Sequence, residues 1–142
     1  MTLVRLLYAS RAATDAAAEA QATILRQCRA NNPRAGITGV LCCADDTYLQ
    51  VLEGGRSAVN RLYNRIVTDP RHSDVELLSY QQIGERHFAG WAMGQVHVAR
   101  LNPGLLLKYS ATARLDPYAL SGSTALALLD ELVATASIAC QA

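Results

Sequence analysis

A glutamine stands in an otherwise apolar row of a predicted strand. In the stretch 47–53, Tyr48, Gln50 and Leu52 alternate along the chain and therefore share one face of the strand. A buried amide without a hydrogen-bond partner costs about 1–3 kcal/mol, so Gln50 needs a side chain, a water or a ligand. Tyr8, on a neighbouring predicted strand, is a side chain that can reach it. The pair is either a hydrogen bond of the core or the polar part of a ligand site.

Further polar residues stand at the ends of two predicted helices. Asn31 and Asn32 precede a proline at the end of the first helix, and a charged cluster ends the second: Arg65, Asp69, Arg71 and His72. Each group has an ordinary explanation, either as a helix stop or as a solvated helix end. Together with Gln50 they outline a slot between two helices with polar groups at its mouth. Such a slot suits a planar ligand that forms hydrogen bonds.

Enzyme motifs and a strong charge bias are both missing from the sequence. It has no G-x-S-x-G, Walker A, G-x-G-x-x-G or H-E-x-x-H pattern, and its three histidines are scattered. With 13 Lys+Arg against 12 Asp+Glu, the net charge of +1 gives no electrostatic argument for binding nucleic acid or a membrane. A length of 142 residues, 51% apolar and 18% charged, indicates one folded domain.

The cysteines and the first residues favour a cytoplasmic protein. Cys28, Cys42, Cys43 and Cys140 form no C-x-x-C pair and have no histidine at zinc-ligand spacing, so no metal site is expected. Residues 1–10 lack the apolar stretch and cleavage site of a signal peptide. No apolar run reaches the roughly 18 residues that span a bilayer, so no membrane association is expected.

The apolar pattern predicts the elements that position these side chains. Strands are expected at 2–9, 36–43, 47–53, 75–82 and 91–98, with one helix after the first strand and another over 59–69. Thr14 and Asp15 can cap the first helix, and Asn31-Asn32-Pro33 is expected to end it. The order β-α-β-β-α-β-β matches the split βαβ motif, which predicts an α+β, ferredoxin-like sheet with two helices on one face. Strands one and three are expected to lie side by side and parallel.

The chain from Leu101 onward is predicted to be a helical extension. A short helix is expected at 105–109 and a longer one at 123–137. The longer helix carries an apolar stripe of Leu126, Leu129 and Val133, beside Leu128 and Leu132. That stripe must cover the open face of the sheet, a second subunit or another partner.

Four runs of the chain recur together in one known family. They are Leu6-Leu7-Tyr8-Ala9-Ser10; Asn31-Asn32 followed by Gly36-Ile37-Thr38-Gly39-Val40-Leu41; Tyr48-Leu49-Gln50-Val51-Leu52-Glu53-Gly54; and Phe88 with Trp91 and Met93. In order and spacing, over roughly residues 1–97, the chain resembles the BLUF domains, the flavin-binding sensors of blue light. The combination of I-T-G-x-L, Y-L-Q-V-L-E-G and W-x-M is highly specific, and the family's fold has the same element order. One departure is Tyr48, where phenylalanine is common.

The resemblance implies a bound FAD whose isoalloxazine ring lies between the two helices. Tyr8 would give an electron and a proton to the photoexcited flavin, and Gln50 would bridge Tyr8 and the ring. The amide would then rotate or tautomerise, because it carries both a donor and an acceptor, and the changed hydrogen bonds would be the signal. Trp91 and Met93, two apart on the predicted fifth strand, are expected to face the same side. Family members differ in which of the two is turned toward the flavin.

The remaining site residues follow from the same resemblance. Asn32 matches the flavin-bonding asparagine, and Asn31 matches a variable position beside the ring. Ile24 and Ile66 match apolar pocket walls on the two helices. The polar rim around the ring and the ribityl chain corresponds to Arg65, Asp69, Arg71 and His72.

The resemblance also predicts how the chain divides and what it acts on. Residues 1–98 are expected to be the photosensor domain and residues 99–142 a C-terminal helical extension. Because no cyclase, phosphodiesterase or kinase is recognisable after the domain, we expect a sensor rather than an enzyme, a homo-oligomer that signals to a partner protein. Light is expected to change strand five and, through it, the packing of the C-terminal helices. Two alternatives stay open: a small flavin-dependent redox enzyme of ferredoxin-like fold, and a ligand-free interaction module.

Overall fold

A computed structural model describes residues 2–12, 17–97 and 101–134 of the chain. Its elements are, in order, β1 (Leu3–Ala12), α1 (Ala17–Ala35), β2 (Thr38–Ala44), β3 (Thr47–Gly55), α2 (Arg56–Thr68), β4 (His72–Ile83), β5 (Gly94–His97), α3 (Pro103–Leu107), a 3₁₀ turn (Pro117–Ala119) and α4 (Gly122–Ala134). The cap residues Thr14 and Asp15 and the last turn of the predicted 123–137 helix lie outside the described residues. Among the helices of those residues, none is both long and apolar enough to cross a membrane.

The five strands form one mixed sheet in the order β4-β1-β3-β2-β5. The prediction that strands one and three run parallel is wrong, because β1 pairs with β3 in antiparallel register. The reason is the hairpin: β3 turns back on β2, and the crossover through α1 makes β1 parallel to β2, with β3 between them. β5 then joins the far edge parallel to β2. The ferredoxin-like α+β fold with a helical extension is confirmed.

Helix α1 does not end at the Asn-Asn-Pro sequence, as predicted, but continues through Pro33 to Ala35. It stops where Gly36 adopts a φ of 70°. The amide of Gly36 donates to the carbonyl of Pro33, and the amide of Ile37 donates to the carbonyl of Asn32. This pair of bonds is the Schellman closure, which satisfies the last carbonyls of a helix. Asn31 and Asn32 therefore lie within the last turns of α1.

The sheet separates two apolar clusters. On the helix face, residues from β1, β2 and β3 pack with Ile24 of α1 and with Val59 and Ile66 of α2. On the opposite face, which we call the back face, α4 packs on the sheet through four buried residues: Ala125, Leu128, Leu129 and Leu132. The apolar stripe of the last helix thus covers its own sheet, one of the three possibilities that the sequence left open.

Candidate functional site

A cavity of about 200 Å³ lies on the helix face between α1 and α2. All ten residues predicted to line a cofactor site surround it: Tyr8, Ile24, Asn31, Asn32, Gln50, Arg65, Ile66, Asp69, Arg71 and His72. Five more lining residues were not predicted: Gln27, Cys28, Ala35, Ile37 and Leu62. Within the described parts of the chain, no three His, Cys, Asp or Glu side chains come together as a metal site.

Tyr8 and Gln50 are directly opposite each other on the central strands β1 and β3. Both are almost completely buried, and the phenol O–H of Tyr8 donates a hydrogen bond to Oε1 of Gln50. Burial raises the pKa of Tyr8 well above its ordinary value of about 10, because the charged phenolate is poorly solvated there. At neutral pH the phenol therefore keeps its proton and acts as a donor.

The other end of the Gln50 amide is also occupied. Its Nε2 donates to the sulfur of Met93 at 3.3 Å, and Met93 is fully buried on the helix face of the sheet. Thioether sulfur is a weak acceptor, whereas a phenol can both donate and accept. The amide thus stands between two different partners. Exchanging its oxygen and nitrogen would reverse the hydrogen bond with Tyr8 and remove the one with Met93, whose sulfur has no proton to donate.

Trp91 and Met93 do not face the same side, contrary to the prediction. Met93 packs with the helix-face cluster, whereas Trp91 is half-buried against the back-face cluster. The alternation of a strand does not apply here, because both residues precede β5, which begins at Gly94. In this structure Met93 is the member of the pair that reaches Gln50. The indole nitrogen of Trp91 is buried and has no hydrogen-bond partner among the described residues.

The backbone of residues 91–93 is held by the end of α1 and by β2. Asn32, which is buried, donates from Nδ2 to the carbonyl of Ala92 at 2.9 Å. Arg29 donates to the carbonyl of Met93 at 3.4 Å, and the amide of Gly39 donates to the carbonyl of Trp91 at 3.1 Å. Asn32 therefore lines the cavity and fixes the segment that carries Met93.

An ion pair and a hydrogen bond of Arg71 lie at the cavity, between α1 and the turn after α2. Arg71 contacts the carboxylate of Asp69, with Nη2 2.5 Å from Oδ2. Hydrogen bonds from the guanidinium and the backbone amide of Arg71 lower the pKa of Asp69 below its ordinary range. Arg71 also donates from Nη2 to Oε1 of Gln27 on α1, at 2.9 Å. This contact ties the turn after α2 to α1.

His72 and Cys28 complete the wall of the cavity. His72 is buried, with Nδ1 2.9 Å from the hydroxyl of Ser10 and its ring edge-on to Tyr8 and Tyr48. Burial lowers its pKa, so the imidazole is neutral at pH 7. Burial likewise raises the pKa of the Cys28 thiol, which lies within hydrogen-bonding reach of the Gln50 amide. The thiol is therefore protonated at neutral pH and does not add a charge to the wall.

The lining of this cavity combines apolar walls with side chains that form hydrogen bonds. Ile24 and Ile66 supply apolar walls from opposite helices, while the amides of Asn32 and Gln50 supply hydrogen-bonding groups. With a phenol and an amide in contact on its wall, the cavity has the features of a site for a planar, hydrogen-bonding ring on a ferredoxin-like sheet. The family model for BLUF, sensors of blue-light using FAD, matches residues 3–94. The chain belongs to the BLUF family.

Relatives and solved structures agree with this assignment. The chain is 36% identical over 85 residues to photoactivated adenylate cyclase subunit beta of Euglena gracilis, covering 60% of this chain and 10% of that protein. It thus spans about a tenth of the length of that relative. The structure matches BlsA in its photo-activated state with a TM-score of 0.83 and 31% identity, covering 92% of this chain and 94% of that one. The dark-state structure of BlrB, a BLUF protein, matches with a TM-score of 0.81 and 32% identity, covering 95% and 97%.

The chain therefore carries a domain of a family of blue-light sensors that use FAD. Residues 3–94 are a sensor domain, and the cyclase activity in the names of some relatives is a property of those proteins. Sequence reasoning missed Gln27, Cys28 and Ala35 because none is an unusual residue in a helix. Their signal is spacing, since they fall on the same face of α1 as Ile24 and Asn31.

Proposed function

We propose that Tyr8 and Gln50 form the light-driven hydrogen-bond switch of this photoreceptor. The observation that carries the proposal is the buried chain of contacts from the Tyr8 hydroxyl to Gln50 Oε1, and from Gln50 Nε2 to Met93 Sδ, on the wall of the cavity. A flavin held in the cavity would supply the absorption of blue light and, once excited, the capacity to accept one electron and one proton. Every group needed to supply them and to register the change is present in this chain of contacts.

Tyr8 supplies both particles in this mechanism. Its ring loses an electron, and its hydroxyl releases a proton toward the amide of Gln50. While the phenol lacks its proton, the Tyr8 oxygen is an acceptor and favours the amide nitrogen over the amide oxygen. The side-chain amide of Gln50 then rotates, or it tautomerises by moving a proton from its nitrogen to its oxygen. Tyr8 then recovers the electron and the proton, and the rearranged amide remains as the signal.

Burial preserves this arrangement once it has formed. Tyr8, Gln50 and Met93 each expose 1% or less of their surface, so water does not compete for the hydrogen bonds of the amide.

We further propose that Asn32 and Asn31 bind the polar edge of the flavin and that Ile24 and Ile66 enclose the ring. The rim residues Arg65, Asp69, Arg71 and His72 would surround the ring and the ribityl chain. The cavity is smaller than the about 300–1,000 Å³ that accommodates a whole drug-sized ligand, so the rest of the cofactor would extend past this rim.

The signal would leave through the segment that carries Met93. The same segment holds Trp91 against the back-face cluster, which also includes Leu128 and Leu129 of α4. A second contact joins the β4–β5 connection to that helix, since Nδ1 of His87 lies 3.1 Å from the carboxylate of Asp130. Movement of Met93 is thereby coupled to α4, and we propose that a downstream protein or a second copy of the chain reads α4. The free cysteines among the described residues favour a cytoplasmic location.

An absorption spectrum before and after blue light tests the photoreceptor mechanism. The protein purified with FAD should be yellow, show a red-shifted band after illumination and return in the dark without added reagents. Turnover of an added reductant without light would favour a flavin-dependent redox enzyme instead. A colourless protein after purification with FAD would favour a ligand-free module and overturn the proposal.

Hydrogen exchange tests the signalling route separately. Light should change the exchange rates of residues 91–97 and of residues 101–134, which include α3 and α4. Residues 56–61, the first turns of α2, serve as the internal comparison, because none of them lines the cavity. Unchanged exchange in 101–134, with a normal red shift, would refute the route and leave the switch intact.

A further inference from the structure

A buried carboxylate outside the cavity connects the strand of Gln50 to the segment of Met93. Glu53 lies on β3, three residues after Gln50 and on the back face, and none of its surface is exposed. Its Oε2 accepts from Nε of Arg5, the residue opposite it on β1, at 2.8 Å. The charge is thus paired, but Arg5 uses only part of the hydrogen-bonding capacity of the carboxylate.

The remaining capacity of Glu53 is used by the connection between β4 and β5. Oε2 accepts from the amide of His87 at 3.0 Å, and Oε1 accepts from the amide of Phe88 at 2.8 Å. The amide of Trp91 then donates to the carbonyl of Phe88 at 3.2 Å. Hydrogen bonds therefore run from Glu53 through this turn to the residues immediately before Met93.

Arg86 holds the same turn from the other side. Its guanidinium donates to the hydroxyl of Thr38 at 3.0 Å and to the carbonyl of Gly36 at 2.7 Å. A longer bond of 3.4 Å reaches the carbonyl of Glu53 itself. Residues 86–88 are therefore attached to the ends of β2 and β3 by two side chains of opposite charge, which we call the Glu53–Arg86 clamp.

We propose that Glu53 is a positioning residue of the light switch, acting through Met93. It holds the β4–β5 connection so that the Met93 sulfur meets the Gln50 amide and Trp91 stays on the back face. A buried ion pair is weak evidence for a stabilising role, since an apolar pair of similar size often serves as well. What an apolar pair would not supply is the attachment of two backbone amides of the connection to β3. This inference rests on the proposed function, because it concerns the same hydrogen-bond switch.

A double-mutant cycle tests whether Glu53 acts through Met93. Arg5→Met and Glu53→Gln are introduced together, so that no unpaired charge remains buried, in the wild-type and Met93→Ala backgrounds. The pair change should leave the red shift in place and alter the dark recovery rate at least about fivefold, in the direction of Met93→Ala. In the Met93→Ala background it should alter the rate less than about twofold, because residues that act as a unit are not additive. Additive effects, or an unchanged rate, would overturn the proposal.

A second variant and a second measurement cover the case in which the pair variant does not fold. Arg86→Gln loosens the same turn from its partly exposed side and should shift the recovery rate in the same direction. Lys108→Gln removes the ion pair between the residue that follows α3 and Glu131 of α4, and it should leave the recovery rate unchanged. Both clamp variants should also raise acrylamide quenching of Trp91, the only tryptophan in the chain, in darkness.

Acrylamide quenching of Trp91 tests the role of Glu53 independently of the proposed light switch. A wild-type protein without a red shift would refute the proposed switch, whereas quenching would still report whether the clamp positions Trp91. Quenching that is equal in wild type, the pair variant and Arg86→Gln would overturn the role of Glu53 whatever the photochemistry.

Discussion

At position 50 the central strand carries an amide where the surrounding pattern would accept an aliphatic side chain. An unpartnered amide there would cost about 1–3 kcal/mol, but both of its ends are occupied, by Tyr8 and by Met93. The two partners differ in kind, since one is a strong donor and the other a weak acceptor. This asymmetry gives the two orientations of the amide different energies, which a switch requires.

Removing the Tyr8 hydroxyl should separate flavin binding from photochemistry. Tyr8→Phe keeps the ring and the packing of the cavity wall but deletes the donor to Gln50 and the source of the proton. We expect the variant to bind flavin and to show no red shift under blue light. Tyr63→Phe is the matched control, because its ring lies 5.7 Å from that of Tyr8 and its hydroxyl has no place in the proposed switch. Photoswitching of Tyr8→Phe at the wild-type level would contradict the mechanism.

His72 predicts a dependence of stability on pH. Burial lowers its pKa in the folded protein below the ordinary value of about 6.5, so the unfolded chain binds a proton that the folded chain resists. The stabilising contribution is therefore present above the unfolded pKa and is lost as the pH falls through the folded pKa, with a slope of at most about 1.4 kcal/mol per pH unit.

Urea denaturation between about pH 5 and about pH 7.5 measures this slope. His72→Asn retains a polar partner for Ser10 without a group that titrates in this range, so its free energy of unfolding should depend less on pH. Equal slopes in wild type and variant would show that His72 is not the group responsible.

The polar outliers of the site could be predicted from the sequence because each broke a local pattern. Gln50 interrupted an apolar row, and Asp69 and Arg71 formed a charged cluster at a helix end. Glu53 is harder to recognise, since its role depends on backbone amides of His87 and Phe88, 34 and 35 residues further along the chain. No periodicity reports contacts of that kind.

At the scale of the element, two of the errors arise where hydrogen bonds override a simple local rule. Pro33 was expected to end α1, but the helix continues to Ala35 and is closed by the Schellman hydrogen bonds at Gly36. Before β5, alternation places Trp91 and Met93 on one side, but hydrogen bonds from Asn32 and Gly39 hold the backbone in a bend there. In both places hydrogen bonds override the simpler preference: bonds between near neighbours at the end of α1, and bonds from residues distant in sequence before β5. Element order and type, which depend on longer patterns, were predicted correctly.

Gly39, in the I-T-G run, occupies a position where the structure has no room for a side chain, which the sequence pattern alone does not show. A Cβ there would lie 2.0 Å from the carbonyl oxygen of Val51 on β3, and backbone cannot yield as a flexible side chain would. Gly39→Ala should therefore destabilise the protein by at least the about 1–3 kcal/mol of an overpacked core, measured by urea denaturation.

Gly84→Ala is the control for that substitution. A Cβ at Gly84 meets nothing within 4 Å, so its free energy of unfolding should stay within about 0.5 kcal/mol of wild type. If both variants lost the same amount, crowding against β3 would not be the reason for a glycine at position 39.

Over the whole molecule, the sheet is a partition between the cavity and α4. Tyr8 and Gln50 face one cluster, while Leu128, Leu129 and Leu132 pack in the other. The connection of β4 to β5 reaches both sides, with Met93 on the helix face and Phe88 on the back face. The structure thus offers a covalent route around the sheet, by which the proposed change of one amide would reach a helix that it does not touch.

Gly122 allows α4 to be disturbed without touching the cavity. A Cβ at this position would lie 2.4 Å from the carbonyl oxygen of Leu78, so Gly122→Ala should push the first turn of α4 away from β4. We expect a loss of about 1–3 kcal/mol of stability, faster hydrogen exchange in residues 122–134 in the dark and an unchanged red shift. Gly90→Ala, where a Cβ meets nothing within 4 Å, is the matched control.

Because the switch lies upstream of α4 in the proposed route, a lost red shift in Gly122→Ala would show that the two faces of the sheet are not separable. Normal dark exchange with a normal light response would show instead that α4 docking does not depend on this close approach.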